Sequence, residues 1–219
     1  DGFRGFVVRG RVFFDGGVPP ADEVLPTNYI SVRPADGRSL GFYPAGRIEP
    51  DGTFETVGLP RGKYLIGMPF PFPGWSVQSV VIGGIDAAGR SFELSGDVSD
   101  AVVTLTQRPA SLAGIVRDGN GRATASTVVI FSEDTRDWGD FSNWLSARSA
   151  RILTKGDGTF SAQVFPGRYL LVAMPPGPDA TAEWQTKSFL EAIARFAIRV
   201  EVRKGELVSR EMHLSLIRR

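Results

Sequence analysis

The chain has 219 residues, which suits one large domain or two domains of roughly 110 residues each. Hydrophobic residues make up 42% of the sequence and aromatic residues 11%, so the chain can bury a core and is not of the disordered class. The net charge is +1 without a block of like charges, which argues against nucleic acid as a partner, and the absence of cysteine excludes disulfides, thiolate catalysis and zinc–thiolate sites.

The sequence begins at Asp1 and soon becomes strand-like, without a recognisable signal peptide or an apolar stretch of about 18 residues. We therefore expect a protein that is peripheral to a membrane at most. It is predicted to be either a processed secreted protein or a piece of a longer chain.

Short strands and tight turns follow one another through the first half of the chain. Asp51-Gly52 is a turn dipeptide, because glycine supplies the positive φ that a tight hairpin requires. Pro60 marks the next turn, and Tyr64 begins an apolar strand. The other strand-like segments are an opening strand at 7–12, a strand–turn–strand at 79–91 and a closing strand at 101–105.

This order of motifs recurs about 105 residues later. The first copy consists of Asp-Gly-Thr-Phe at 51–54, Leu-Pro-Arg-Gly-Lys-Tyr at 59–64 and Met-Pro at 68–69. The second copy consists of Asp-Gly-Thr-Phe at 157–160, Phe-Pro-Gly-Arg-Tyr at 165–169 and Met-Pro at 174–175. The opening strands, the closing strands and a following tryptophan (Trp75 and Trp184) also correspond. The repeat predicts two homologous domains, 1–108 and 109–219.

The second domain repeats the β pattern with one exception. Phe160, Ala162 and Val164 alternate with polar residues, as in a half-buried strand, and the run 128–131 is typical of a buried strand. Because such strands recur at short spacing with turns between them, each domain is predicted to be a β-sandwich. Residues 188–197 instead have helical periodicity, and a short helix is predicted there, covering one end of the second domain.

The repeated motifs resemble those of the carboxypeptidase regulatory-like family. Modules of this family open with a Gly-x-Val strand, which 10–12 and 114–116 match. They continue with Leu-Pro-x-Gly-x-Tyr, which 59–64 match fully and 165–169 match with one residue missing. The family's Asp-x-x-Gly-x-Phe motif corresponds to both Asp-Gly-Thr-Phe copies, with a shortened turn.

The resemblance implies an all-β fold of two tandem seven-stranded transthyretin-like (Ig-like) β-sandwiches, with the short helix in the second. The end of the chain is similar to the last module of large secreted bacterial proteins built from such repeats, which implies a secreted, periplasmic or cell-surface location. The motif residues of this family are structural glycines, prolines and core aromatics. The resemblance therefore carries over no catalytic residue and no cofactor.

Polar side chains give little indication of catalysis or metal binding. His213 is the only histidine and is expected at the surface of the closing strand, whereas zinc sites and catalytic triads need further partners. Glu133, Asp134, Asp137 and Asp140 cluster in one stretch, which we interpret as a solvated loop. A glycosidase acid pair and a calcium site are the alternatives, although glycosidases place their acids across a cleft and the spacing fits no EF-hand. We predict no catalytic residue and no metal site.

Two aromatic stretches are the best candidates for a binding surface. They fall in predicted loops, where recognition residues tend to gather, and exposed aromatic rings suit protein partners or sugar rings. The candidate residues are Phe70, Phe72 and Trp75 in the first domain and Trp138, Phe141 and Trp144 in the second. Alternatively, these rings fold back as lids over the ends of each core, which the recurrence of a tryptophan in both repeats favours for Trp75. For Trp138 and Trp144, which the first domain lacks, both interpretations stay open.

These patterns together predict a non-enzymatic interaction or structural module of a secreted or cell-envelope bacterial protein. The expected partner is another protein in a larger assembly, or further domains of a longer chain. Edge strands of a sandwich can accept a partner's strand without any catalytic residue. The alternative is a carbohydrate-binding module in which Trp138, Phe141 and Trp144 stack on a polysaccharide.

Overall fold

A computed structural model describes residues 5–138, 148–176, 184 and 186–215 of the chain. Its strands and helices confirm the predicted all-β class with one short α-helix. Two compact units are present, one ending at Pro109 and the other beginning at Ala110. Neither the α-helix nor the short 3₁₀ turns of this described part are long and apolar enough to cross a membrane.

Nine strands form the first unit. They are β1 (Val8–Asp15), β2 (Tyr29–Pro34), β3 (Ala45–Ile48), β4 (Thr53–Thr56), β5 (Gly62–Gly67), β6 (Ser76–Ile82), β7 (Ile85–Asp86), β8 (Phe92–Leu94) and β9 (Val98–Thr106). All of them belong to one hydrogen-bonded sheet in the order β7-β6-β9-β1-β4-β3-β2-β5-β8. Because side chains alternate along a strand, Val8, Val12, Ile30 and Phe54 fall on the buried face and form part of the core.

Seven of these strands have counterparts in the second unit, and β6 with β7 form an additional hairpin. This hairpin turns at Gly83-Gly84, whose φ angles of 56° and 76° are in the left-handed region. It confirms in kind the strand–turn–strand predicted at 79–91, although the hairpin spans 76–86. The first strand of the hairpin, β6, pairs antiparallel with β9, so that β9 lies between β1 and β6.

Among its described residues, the second unit has seven strands and one α-helix. They are β10 (Ser111–Arg117), β11 (Thr127–Ser132), β12 (Ser149–Leu153), β13 (Thr159–Gln163), β14 (Gly167–Met174), α1 (Lys187–Ala194), β15 (Ile198–Val202) and β16 (Leu207–His213). One sheet has the order β13-β10-β16 and the other β12-β11-β14-β15. A single core cluster joins them, with Leu112 and Met212 from the first sheet and Ile130 and Leu171 from the second, which makes this unit a sandwich.

Helix α1 covers the outer face of the four-stranded sheet. Its residues Leu190 and Ile193 belong to a second cluster together with Phe131 of β11 and Leu170 of β14. The central strands β11 and β14 are therefore buried on both faces. The helix predicted at 188–197 is confirmed in kind, but it lies on a sheet face rather than over one end of the domain.

The repeated Asp-Gly-Thr motif forms the same turn in both units. The carboxylate of Asp51 accepts hydrogen bonds from the backbone N–H of Thr53 at 3.0 Å and from its hydroxyl at 2.6 Å. Asp157 accepts the same two bonds from Thr159, again at 3.0 and 2.6 Å. Each aspartate thus closes a side-chain turn that starts the following strand.

The repeated tyrosine also has one role in both units. Tyr64 and Tyr169 are fully buried, and each ring reaches back over the preceding turn. The hydroxyl of Tyr64 donates to the carbonyl of Pro60 at 2.8 Å, and that of Tyr169 donates to the carbonyl of Phe165 at 2.7 Å. These bonds satisfy the one polar atom of a side chain that otherwise fills the core.

The first and last strands of each unit run parallel and pair directly, β1 with β9 and β10 with β16. Gly10 faces the carbonyl oxygen of Ala101, and Gly114 faces that of Arg210. A Cβ at either glycine would overlap the oxygen, so the glycine of the Gly-x-Val motif is required by this close approach. Ala101 and Arg210 consequently occupy equivalent positions in the two units.

Candidate interaction surfaces

The aromatic stretch of the first unit divides into a buried part and an exposed part. Phe72 and Trp75 are only 3% and 7% exposed, and their ring centroids lie 6.0 and 4.9 Å from that of Phe14. The prediction that they offer a binding surface is therefore corrected: they close over the core, as the lid interpretation had it. Phe70 is 69% exposed, and its carbonyl accepts a hydrogen bond from the Asn28 side chain at 2.6 Å.

Trp138 is half-buried against the cluster beneath helix α1. Its ring meets that of Phe131 edge to face at 5.5 Å, and its indole N–H donates to the carbonyl of Ser132 at 2.7 Å. Both its polar atom and much of its ring are thus used within the unit. The other two candidates of this stretch, Phe141 and Trp144, lie outside the described residues.

The acidic stretch is held by arginines rather than arranged as a site. Glu133 accepts from Arg199 at 3.0 Å and pairs with Arg168 at 3.2 Å, linking the ends of neighbouring strands. Asp134 pairs with Arg136 at 2.7 Å, and Asp140 lies outside the described part. Within that part, no three His, Asp or Glu side chains are close enough together to hold a metal ion.

A shallow groove of about 600 Å³ crosses the outer face of the first unit. Arg9, Arg11 and Phe13 of β1 form its floor, with Arg47 on one side and Asp100 on the other. Its positive and negative side chains balance, and the guanidinium of Arg9 is engaged by Glu55. The groove is polar and mixed in sign, so it favours no single class of ligand.

Large apolar side chains are exposed on the outermost strands of all three sheets. Ile85 on β7 is 73% exposed, Leu153 on β12 is 61% exposed and Leu207 on β16 is 66% exposed. Sequence reasoning missed these residues, because an apolar residue in a strand is ordinarily taken for core. The available signal is that Leu207 is out of phase with the alternating buried residues Val208 and Met212.

The last strands of the two units differ in what flanks them. β9 has β1 on one side and β6 on the other, whereas β16 pairs only with β10 among the strands that the structure describes. His213 is exposed on this strand, at the surface position that was expected for it. Between Val208 and Met212 lies Arg210, whose guanidinium donates to the carbonyl of Ser209 at 2.9 Å.

Comparison with protein-family models finds no match for the chain, and comparison with curated proteins finds none either.

Solved structures give only distant similarity. The Bacillus anthracis TIE protein is 13% identical with a TM-score of 0.32; the match covers 95% of this chain and 33% of that protein. The major pilin subunit of Bacillus cereus is 9% identical with a TM-score of 0.33, covering 95% of this chain and 99% of the pilin. The minor pilin of Streptococcus agalactiae is 10% identical with a TM-score of 0.35, covering 98% of both chains. Such TM-scores do not establish a shared topology.

Proposed function

We propose that this chain is a non-catalytic structural and protein-binding module of a secreted or cell-surface bacterial assembly. The observation that carries the proposal is the exposure of Ile85, Leu153 and Leu207 on the outermost strands β7, β12 and β16. An outermost strand presents unpaired backbone N–H and C=O groups, and proteins commonly protect it with lysine, proline or a bulge. Large apolar side chains at this position favour burial against another polypeptide.

The proposal includes two tandem modules, 1–108 and 109–219, each of the carboxypeptidase regulatory-like kind. The shared turn, the shared tyrosine and the close approach at Gly10 and Gly114 support it, because the repeated motifs make the same contacts in both units. The resemblance of these motifs to secreted bacterial repeat modules supports the location. Partners are then other proteins of the assembly or further domains of a longer chain.

A protein partner accounts for the described aromatic residues better than a polysaccharide does. Carbohydrate-binding sites present open ring faces to the sugar. Phe72 and Trp75 are buried, and Trp138 is engaged with Phe131 and Ser132. Among the described candidates this leaves Phe70 as the one widely exposed ring.

Photo-crosslinking in the native cells tests the proposed function. A benzophenone amino acid is introduced at Ile85, Leu153 or Leu207 of the full-length protein, and at Val18 as a control, which is 86% exposed outside the strands. We expect adducts of higher mass in which mass spectrometry finds peptides of a second protein, formed from at least one strand position and not from Val18. The absence of such adducts at all three positions, or adducts whose added mass is removed by glycosidases, would contradict the proposal.

A further inference from the structure

The place filled by β6 in the first unit is not filled by any described strand in the second. In the first unit, β6 pairs antiparallel with β9, with Val80 opposite Val103 and Val81 opposite Val102. In the second unit, the segment between β14 and β15 supplies helix α1, which lies on the other sheet. The outer side of β16 is therefore the position at which the first unit adds a strand of its own.

The backbone of β16 is oriented to receive such a strand. The backbone N–H of Leu214 donates to the carbonyl of Arg117 at 2.9 Å, and the carbonyl of Glu206 accepts from the backbone N–H of Ser111 at 2.8 Å. The backbone N–H and C=O groups of the even-numbered residues of β16 therefore face β10. Because backbone groups alternate along a strand, those of Ser209, Glu211 and His213 point to the open side. Their equivalents in β9 include Val102 and Thr104, which pair with β6.

Arg210 indicates which side chain an added strand should carry beside β16. It stands where the first unit has Ala101, on the same side of the strand as the buried Val208 and Met212. No described strand lies beside it, and its guanidinium turns along the edge to the carbonyl of Ser209. A carboxylate opposite Arg210 would pair with the guanidinium and release that carbonyl for the incoming backbone.

We propose that β16 binds an extended segment of another protein, antiparallel, with an apolar residue opposite Met212 and an acidic residue two positions later, opposite Arg210. The inference rests on the proposed function and names the site and the partner's chemistry. Backbone hydrogen bonds supply the affinity of such strand addition, and alternate side chains supply its specificity. The apolar residue takes the part that Val80 has opposite Val103.

A second copy of this chain fits the site less well. Antiparallel pairing of two β16 strands that buries the apolar residues places Val208 of one copy opposite Met212 of the other. In this register Arg210 falls opposite Arg210, and like charges directly opposite one another destabilise a strand pair. Arg210 therefore disfavours self-association and favours an acidic partner.

A peptide taken from the chain's own β6 tests the proposal. Two fluorescent peptides with the sequence of residues 75–84 are compared, one carrying Ile82→Glu and the other Ile82→Lys. The register of Val81 opposite Val102, continued by one residue, places position 82 opposite Ala101, the equivalent of Arg210. We expect the Ile82→Glu peptide to bind the full chain at least about tenfold more tightly in an anisotropy titration, and Arg210→Glu to reverse the preference. Equal binding of both peptides would overturn the proposal.

A proline on the open side of β16 provides a second test. Ser209→Pro removes an amide that faces away from β10, which an edge strand tolerates, and Ser209→Ala is the matched control. We expect Ser209→Pro to bind the Ile82→Glu peptide about tenfold or more weakly, with an unchanged melting temperature of the protein. Ser209→Ala should bind this peptide as tightly as the unchanged chain does. Unchanged binding of the peptide to a folded Ser209→Pro chain would contradict the proposal. If Ser209→Pro does not fold, the Arg210→Glu variant provides the test instead.

The two proposals fail in different ways. Hydrogen exchange shows where the peptide binds, since the site requires new protection in β16 and not in β9. If the peptide does not bind β16 while crosslinks to polypeptides form from Ile85 or Leu153, this site is rejected and the proposed function stands. If no strand position yields a polypeptide adduct, the proposed function itself falls.

Discussion

Two aspartates, one in each unit, have the same environment at the start of a strand. The Thr53 hydroxyl and backbone N–H stabilise the charged form of Asp51 and lower its pKa below the usual range, and Thr159 lowers the pKa of Asp157 in the same way. A carboxyl whose pKa is lower in the folded state adds stability above its unfolded pKa. That stability is lost as the pH falls through the folded pKa.

We therefore expect the carboxyl signals of Asp51 and Asp157 to titrate below those of ordinary aspartates in an NMR pH series. Thr53→Val and Thr159→Val, which remove the hydroxyl donor, should each raise the pKa of the neighbouring aspartate only. Thr104→Val, on another strand, is the control and should change neither value. An unaltered Asp51 titration in Thr53→Val would contradict the assignment.

The buried tyrosines allow a second prediction for single residues. Tyr169→Phe leaves the carbonyl of Phe165 without its donor, and we expect a loss of about 1 kcal/mol in the free energy of unfolding. The melting temperature of that unit should fall by about 4–8 °C. Tyr64→Phe should act alike in the first unit, whereas Tyr43→Phe, at a half-exposed ring, should cost less than about 0.5 kcal/mol. Calorimetry measures all three variants. A loss for Tyr43→Phe as large as those for Tyr64→Phe and Tyr169→Phe would contradict this prediction.

Single residues were predictable from the sequence where a motif fixed their geometry. The turn at Asp51-Gly52 followed from the dipeptide alone. The recurring tryptophan already favoured burial of Trp75, but the burial of Phe72 did not follow, because it depends on Phe14, which is distant in sequence. An aromatic loop has the same composition whether its rings face solvent or a core.

The sequence predicted that helix α1 exists, but not where it lies in the fold. Its apolar face predicted a helix, yet both faces of β14 are apolar, so the pattern did not distinguish an inner from an outer surface. The cluster around Leu190 and Ile193 shows that the helix completes the outer face. The exposed Leu153 and Leu207 were missed for a related reason, since long-range pairing decides which strand is outermost.

Truncation of the helix contact tests its contribution. We expect Ile193→Ala to lower the free energy of unfolding of the second unit by about 2–4 kcal/mol, because it opens a cavity between α1 and β11. Glu191→Ala lies on the exposed side of the same helix, where its ion pair with Lys187 contributes no more than about 0.5 kcal/mol. Urea denaturation compares them; a loss as small for Ile193→Ala as for Glu191→Ala would show that the helix adds little.

At the scale of the whole molecule, the proposed modules predict independent folding. We expect 1–108 and 109–219, produced separately, each to unfold cooperatively, because each retains its own first and last strands and its own core. As a control, division at 117 separates β10 from β13 and β16 and should prevent 118–219 from folding. Circular dichroism during heating distinguishes these outcomes, and a noncooperative 109–219 would contradict the two-module proposal.

The parallel pairing of first and last strands also governs how each unit responds to tension. In the second unit, seven consecutive pairs join β10 to β16, from Ser111 opposite Leu207 to Arg117 opposite His213. The chain thus enters at one end of this ladder and leaves at the other, so a pull along it slides the two strands past each other. All seven pairs resist together, whereas a hairpin pulled from its open end breaks one pair at a time. Each unit is therefore built to withstand stretching between its first and its last strand.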